Sequence, residues 1–440
     1  MSYDSHILQE PWLDELTTLT ESRVRGPAGP RVQPVNWLPV GFSHGTSLDY
    51  APHFPGVQVR IMDLSKEFSD LSKEFSLDPD VIYLNHAAVA PWPVRTAAAV
   101  TAFAAENRSR GAQHYPAWME VEQRLRDRLQ RLINARSSDE IALLKSTSEG
   151  LSVVAHGLDW RPGDNVVIPA QEFPSNRIVW ESLDAYGVQV RAVDLYAGDD
   201  PESALLAAFD ARTRLLSVSW VQYDTGLRLD LARLGRACEA AEVLFCIDAI
   251  QGLGALPLDV RTARADFVVA DGHKWLLGPE GLALFYCRRE LLERLRLHQF
   301  GWHMVEHLGD FSRQDWMPAR SARRFECGSP NMLGIHGLEA SLALLADVGS
   351  DVISDLIFKN TAYLVDIISN NLIEYRLLTP VAGYAHAGIV SFRPHRRDAA
   401  EVHGRLRAAG VVCSLRSGAI RFSPHFHTPR SHLDRALALL

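Results

Sequence analysis

Short apolar runs recur along the chain from about residue 80. They are separated by stretches in which apolar residues return every third or fourth position. Ile141–Leu144, Val166–Pro169, Leu215–Val221, Val243–Ile247, Phe267–Ala270 and Leu282–Tyr286 have few polar breaks. Such runs predict strands covered on both faces. In Trp118–Ile133, residues Trp118, Val121, Leu125, Leu129 and Leu132 form one apolar stripe, which predicts an amphipathic helix. Strands alternating with helices predict an α/β fold with a mostly parallel sheet between helical layers. Ligands of such sheets sit beyond the carboxyl ends of the strands. After about residue 320 the pattern changes. A long helical region over about 332–375 precedes Gly388–Arg393 and Ala419–Ser423, which are predicted as strands of a smaller α+β domain. The expected boundaries are 61–94 and 321–440 for the two parts of the small domain and 95–320 for the large one.

Residues 1–60 carry Pro11, Pro30, Pro34, Pro39, Pro52 and Pro55 with little helical periodicity. This predicts an arm or extension, or translation from a start codon upstream of the one the cell uses. Asp63-Leu64-Ser65-Lys66-Glu67-Phe68-Ser69 then repeats as Asp70-Leu71-Ser72-Lys73-Glu74-Phe75-Ser76. Two copies of a seven-residue period lengthen one helix by two turns and are too few for a coiled coil or solenoid.

At 440 residues the chain is long enough for a large core and two domains. A net charge of −8 argues against general nucleic-acid binding. No run reaches the ~18–20 apolar residues of a membrane span, and Met1–Glu10 lack the pattern of a secretory signal. The five cysteines form no C-x-x-C pair, so neither a metal site nor a disulfide framework is predicted and a cytoplasmic location is expected.

The candidate chemistry lies at predicted strand ends. Lys274, in Asp271-Gly272-His273-Lys274-Trp275, follows the run Phe267–Ala270. A lysine at a dry strand end is costly unless its charge is lost or paired. An aldimine with a cofactor aldehyde removes that charge; the alternative is a surface lysine snorkelling from a turn. Asp248 ends the run Val243–Ile247 and needs a cationic partner. A protonated pyridine nitrogen would serve, and a helix N-cap is the alternative. Gln251, three residues on, is positioned for a phenolic oxygen. An aldimine-forming lysine with a buried aspartate is what pyridoxal 5'-phosphate (PLP) chemistry requires of a protein.

Ser146-Thr147-Ser148-Glu149-Gly150 reads either as an anion seat at a helix start or as a capping box. Phe173, in Glu172-Phe173-Pro174-Ser175-Asn176, is a ring-stacking candidate or a core residue. Arg416 and Arg421 are candidates to grip an α-carboxylate, with surface ion pairing as the alternative.

Together with Tyr83-Leu84-Asn85-His86-Ala87-Ala88 and Arg324-Phe325-Glu326-Cys327-Gly328-Ser329-Pro330-Asn331, these segments resemble the class V aminotransferases in content and order. That group includes cysteine desulfurases, isopenicillin N epimerase-like proteins and kynureninase. The resemblance runs from about Tyr83 to the C-terminus. It implies the PLP-dependent transferase fold type I, with a mostly parallel seven-stranded sheet in the large domain.

The resemblance also implies roles for individual residues. Lys274 would carry the cofactor and act as the Cα base. Asp248 and Gln251 would meet the ring nitrogen and phenolic oxygen, and Phe173 would stack on the ring. Thr147, Ser148 and His273 would hold the phosphate, and Ser329 would reach the phosphate of a partner subunit in a homodimer. Asn85 and His86 would line the substrate site. Arg421, ranked above Arg416, would clamp the carboxylate.

The expected function is PLP-dependent chemistry at Cα of an amino acid, either transamination or C–S/C–N lyase chemistry. Alternatives are an epimerase-like racemase, a desulfurase-like enzyme and, in another class, a non-catalytic binding dimer. Desulfurases of the group carry a catalytic cysteine on a loop well before the residue aligned with Arg416, whereas Ala399-Ala400-Glu401-Val402-His403-Gly404 has none. Cys413 lies in an apolar run and reads as packing. The substrate side chain depends on loops around Arg110–Tyr115 and Gln299–Glu306.

Overall fold

The structure, a computed structural model, describes residues 71, 73–381 and 386–440. The expected N-terminal arm and most of the heptad repeat lie outside the described residues. The chain divides into the units Met1–Lys73 and Glu74–Leu440, and the elements below belong to the second.

Among the described residues, eight strands precede residue 290: β1 (Ile82–Tyr83), β2 (Ile141–Leu144), β3 (Asn165–Pro169), β4 (Gln189–Val193), β5 (Thr213–Ser219), β6 (Leu244–Asp248), β7 (Phe267–Asp271) and β8 (Ala283–Cys287). Seven of them form one sheet in the order β2-β8-β7-β6-β5-β3-β4. Pairing is parallel except on the two sides of β8.

Neighbouring residues of the buried strands feed opposite layers. Val167, Leu216, Phe245, Val268 and Leu284 join one apolar cluster, while Val166, Leu215, Cys246, Phe267 and Phe285 join the other. That two-residue period, with both faces apolar, is why these strands read as unbroken hydrophobic runs. β4 was not predicted. It is an edge strand with exposed Gln189 and half-buried Arg191, so its apolar content falls below that of a central strand.

The predicted helix around Trp118–Ile133 is observed as Tyr115–Leu132. The predicted long helical region is two helices, Met332–Val348 and Ser350–Asn370. Gly349 breaks it with φ of 89°, a backbone state that side-chain-bearing residues resist.

The C-terminal strands are β9 (Tyr375–Leu377), β10 (Val390–Pro394), β11 (Val411–Val412), β12 (Ser414–Arg416) and β13 (Ala419–Phe422). β12-β13-β10-β9 form an antiparallel sheet, and β1 pairs with β11 in parallel. Ile82 and Leu84 share a core with Leu364, Val390, Phe392, Ile420 and Phe422. The segment near residue 83 is thereby laid against the C-terminal strands. No helix among the described residues is long and apolar enough to cross a membrane.

Strand order reverses direction beside β3: the chain leaves it for edge strand β4, then returns to its other side with β5. The carboxyl ends at such a switch point open a crevice. The ends of β5, β6 and β7 carry Ser219, Asp248 and Asp271.

Candidate functional site

Lys274 follows β7 through a tight turn closed by bonds from Gly278 N to Gly272 O (2.8 Å) and from Leu277 N to Lys274 O (3.0 Å). Burial pushes its amine down to about 8. The charge of Asp248 opposes this shift, Arg421 adds to it, and Asp271 and Arg416 contribute less. The Lys274 Nζ lies 5.7 Å from the centre of the Phe173 ring. Phe173 is 43% exposed and meets Tyr223 edge-on, so it is a surface ring rather than core.

Asp248 is 2% exposed and its Oδ1 accepts from Ile250 N at 3.0 Å. Burial pushes its carboxyl up to about 6, against that hydrogen bond and the Lys274 charge. Ser219 sits beside Asp248 in the β5–β6 register. The Glu172 carboxylate accepts from Ser219 N at 2.6 Å and from its hydroxyl. Burial pushes Glu172 up to about 7, and Asp248 raises it further. Glu172 carries no expected role in the sequence. Its strand-end position carried a signal, but its contact with Ser219 crosses 47 residues.

Gln251 donates from Nε2 to Ala87 O (3.0 Å) and accepts Trp275 Nε1–H on Oε1 (3.0 Å). One of its two amide hydrogens is committed to those framework bonds.

The helix Thr147–Gly157 points its start at the same strand ends. Ser146 accepts from Glu149 N, but the Glu149 carboxylate accepts from Lys145 N rather than Ser146 N, so the helix has a serine N-cap without the reciprocal bond of a capping box. Thr147 and Asp271 are reciprocally bonded. Thr147 N donates to Asp271 Oδ2 at 3.0 Å, and Asp271 N donates to Thr147 Oγ1 at 3.1 Å. The carboxylate thus occupies the Thr147 amide. The Ser148 hydroxyl donates to Ser175 Oγ at 2.8 Å. His273 Nδ1 is buried 3.8 Å from Asp271 Oδ1.

Arg421 on β13 is 1% exposed. It donates to Tyr223 O at 2.6 Å and to Ser414 Oγ at 3.5 Å, while its Nε has no partner. Burial and then Arg416 push it down to about 10, tempered by Asp224. Ser414 in turn donates to Asn85 Oδ1 at 2.6 Å. Arg416 is exposed, and its charge reaches Lys274.

His86, expected to line the substrate site, is enclosed by other rings. Its ring is fully buried among Tyr83, Trp275, His425 and His427, with Nδ1 against Ser423 O at 3.0 Å. Burial pushes it down to about 4. Ser329 is exposed and lines a cleft with Lys145, Glu149 and Gln299, whose lining includes neither Lys274 nor Asp248.

Ala399–Ala408 is a helix, and the β12–β13 turn is only Ser417-Gly418. Burial holds the Cys413 thiol up at about 12.

A family model described as aminotransferase class-V matches residues 82–427. A probable cysteine desulfurase of Methanothermobacter thermautotrophicus is 32% identical over 359 residues, covering 79% of this chain and 86% of that protein. The uncharacterized aminotransferase YcbU of Bacillus subtilis is 29% identical over 312 residues, covering 71% and 81%. Among solved structures, the apo cysteine desulfurase from Thermococcus onnurineus NA1 matches with a TM-score of 0.75 at 23% identity, covering 84% of this chain and 96% of that one. The cystine C–S lyase C-DES, solved with its product cysteine persulfide, matches with a TM-score of 0.75 at 23% identity, covering 82% and 97%. At these identities the two structures share the fold.

Proposed function

The chain belongs to the aminotransferase class-V family, and on that premise we propose that Lys274, Asp248 and Arg421 form the active centre of a PLP-dependent enzyme working at Cα of an amino acid. The residues present fit the cofactor. Asp248 is a buried carboxylate with no ion-pair partner among the described residues, so a cationic ring nitrogen satisfies it. The Lys274 amine is buried and easily neutralised, as covalent attachment to an aldehyde requires. When bound, PLP supplies an electron-withdrawing ring that stabilises negative charge at the substrate Cα.

Each side chain then has a definite task. The Asp248 carboxylate holds a proton on the ring nitrogen. The Lys274 Nζ would hold the cofactor, and as a free amine with a basicity near 8 it would be the group able to take a proton from Cα. Phe173 offers a face to the ring. The Ser148 end of the helix Thr147–Gly157 and His273 bind the phosphate. Asp271 holds the Thr147 amide, so Thr147 acts by fixing that helix start. Gln251 reaches the phenolic oxygen with its remaining N–H. Arg421 orients the α-carboxylate, and Asn85 steadies it through Ser414. His86 packs behind Trp275 and supports the lysine turn. Ser329 serves the partner's site in a homodimer.

The one observation that carries this reading is Arg421. It is a guanidinium enclosed in protein beside the candidate lysine, without an acid paired to it among the described residues. A substrate carboxylate answers that charge. The short β12–β13 turn and buried Cys413 leave no accessible thiol there to accept sulfur, which favours transamination or elimination over transfer to a protein cysteine.

Borohydride treatment of the PLP-loaded protein, followed by peptide mass spectrometry, is the test. A pyridoxyl mass increment on the Lys274 peptide is expected, and its appearance on another lysine refutes the assignment.

A further inference from the structure

β12 and β13 form a hairpin in which Ser414 lies opposite Arg421 and Arg416 opposite Ala419. Side chains of a strand alternate between faces, so Ser414, Arg416, Ala419 and Arg421 leave the same face of the sheet. Arg421 is enclosed there. Arg416, nearer the turn, is exposed and, among the described residues, donates only to its neighbour's carbonyl, Leu415 O, at 3.4 Å. The residue opposite Arg416 on this face is the small, buried Ala419.

Both guanidinium charges act on Lys274, and Arg416 also acts on Arg421. The acids that face Lys274 are otherwise engaged. Asp271 accepts the Thr147 amide, and Asp248 is assigned to the ring nitrogen. Asp224 attracts Arg421 without bonding to it. Two cations therefore converge on a site where one α-carboxylate answers only one of them, and like charges so close are costly until an anion arrives.

We infer that Arg416 receives a second anionic group, borne on the substrate side chain, so that the preferred substrates are acidic amino acids. This rests on Arg421 as the α-carboxylate clamp. The chemistry required is a carboxylate, sulfinate or comparable oxyanion beyond Cβ, positioned for a bidentate or single guanidinium contact.

Butyrate, succinate and glutarate report the charge preference without turnover. Titrated calorimetrically into the PLP-loaded enzyme at low ionic strength, the better dicarboxylate is expected to bind at least tenfold more tightly than butyrate. Arg416→Gln should bring that ratio to within twofold of one. Because Arg416 is exposed, its replacement leaves the core untouched, and the wild-type ratio stands as a test without the variant. In a panel of amino acids, the highest kcat/KM should fall to an acidic one. Equal affinity for mono- and dicarboxylates, or a preference that survives Arg416→Gln, overturns the inference. If butyrate binding is indifferent to Arg421→Met, the clamp itself is wrong and this inference falls with it. If butyrate needs Arg421 but glutarate gains nothing, only the second-anion site is lost.

Discussion

Replacing Arg421 by Met deletes a buried guanidinium and keeps an apolar stem of similar reach. In the native protein the side chain is 1% exposed and makes one good hydrogen bond, to Tyr223 O at 2.6 Å, and one long one, to Ser414 Oγ. Burial and the Arg416 charge lower its affinity for its proton to about 10, which corresponds to a native-state cost of about 3 kcal/mol. The folded state disfavours the charged form. The penalty is therefore full below pH 10 and is relieved only as pH rises toward the unfolded value. Methionine removes that cost but forfeits the Tyr223 bond, worth about 1–3 kcal/mol. The unliganded protein should thus keep its stability or gain up to about 2 kcal/mol, read by urea unfolding at pH 7.5.

Substrate binding responds in the opposite direction. Removing one partner of a buried, hydrogen-bonded ion pair costs about 3–5 kcal/mol. At about 1.4 kcal/mol per factor of ten, kcat/KM for the best amino acid should fall about 100- to 1,000-fold or somewhat more. A structural strut would lose stability and activity together; a clamp loses activity alone. A fall in kcat/KM of less than tenfold, or a stability loss above about 2 kcal/mol, refutes the assignment.

Other perturbations probe the same centre. Burial raises the folded-state Asp248 carboxyl to about 6, so the stability this group provides is full below the ordinary carboxylate range and lost as pH rises through 6. Asp248→Asn should therefore raise the melting temperature of the PLP-free protein more at pH 8 than at pH 4, while holoenzyme turnover drops; an equal change at both pH values contradicts the burial argument. Competitive labelling of the PLP-free protein with acetic anhydride should find Lys274 half-maximally reactive near pH 8, and a midpoint above 10 would mean that the amine is solvated. Gly150→Ala places a methyl group 2.6 Å from Val269 Cγ1, where the Thr147–Gly157 helix meets β7. Overpacking of about 1–3 kcal/mol should appear in urea unfolding, with weaker PLP retention; unchanged values would show that the helix shifts freely.

The central strands and the residues at their ends were legible in the linear chain. Strands buried on both faces must be apolar throughout, and a carboxylate or amine closing such a run stands out against it. Lys274 and Asp248 stand out that way, and the resemblance to class V aminotransferases rests on the order of these and the other motifs. β4 escaped because an edge strand is free to be polar. The break at Gly349 escaped because periodicity continues on both sides of one left-handed residue.

Contacts between distant segments were decided only by the fold. Asp271 binds the Thr147 amide across 124 residues, and Glu172 binds Ser219 across 47. Arg421 and Arg416 offer the same chemistry as letters, and only the resemblance ranked Arg421 higher. Strand pairing placed Arg421 under protein and Arg416 at the hairpin's exposed end. A side chain's solvation, and hence its charge and its need for a partner, depends on everything packed around it, and that environment exists only once the chain has closed on itself.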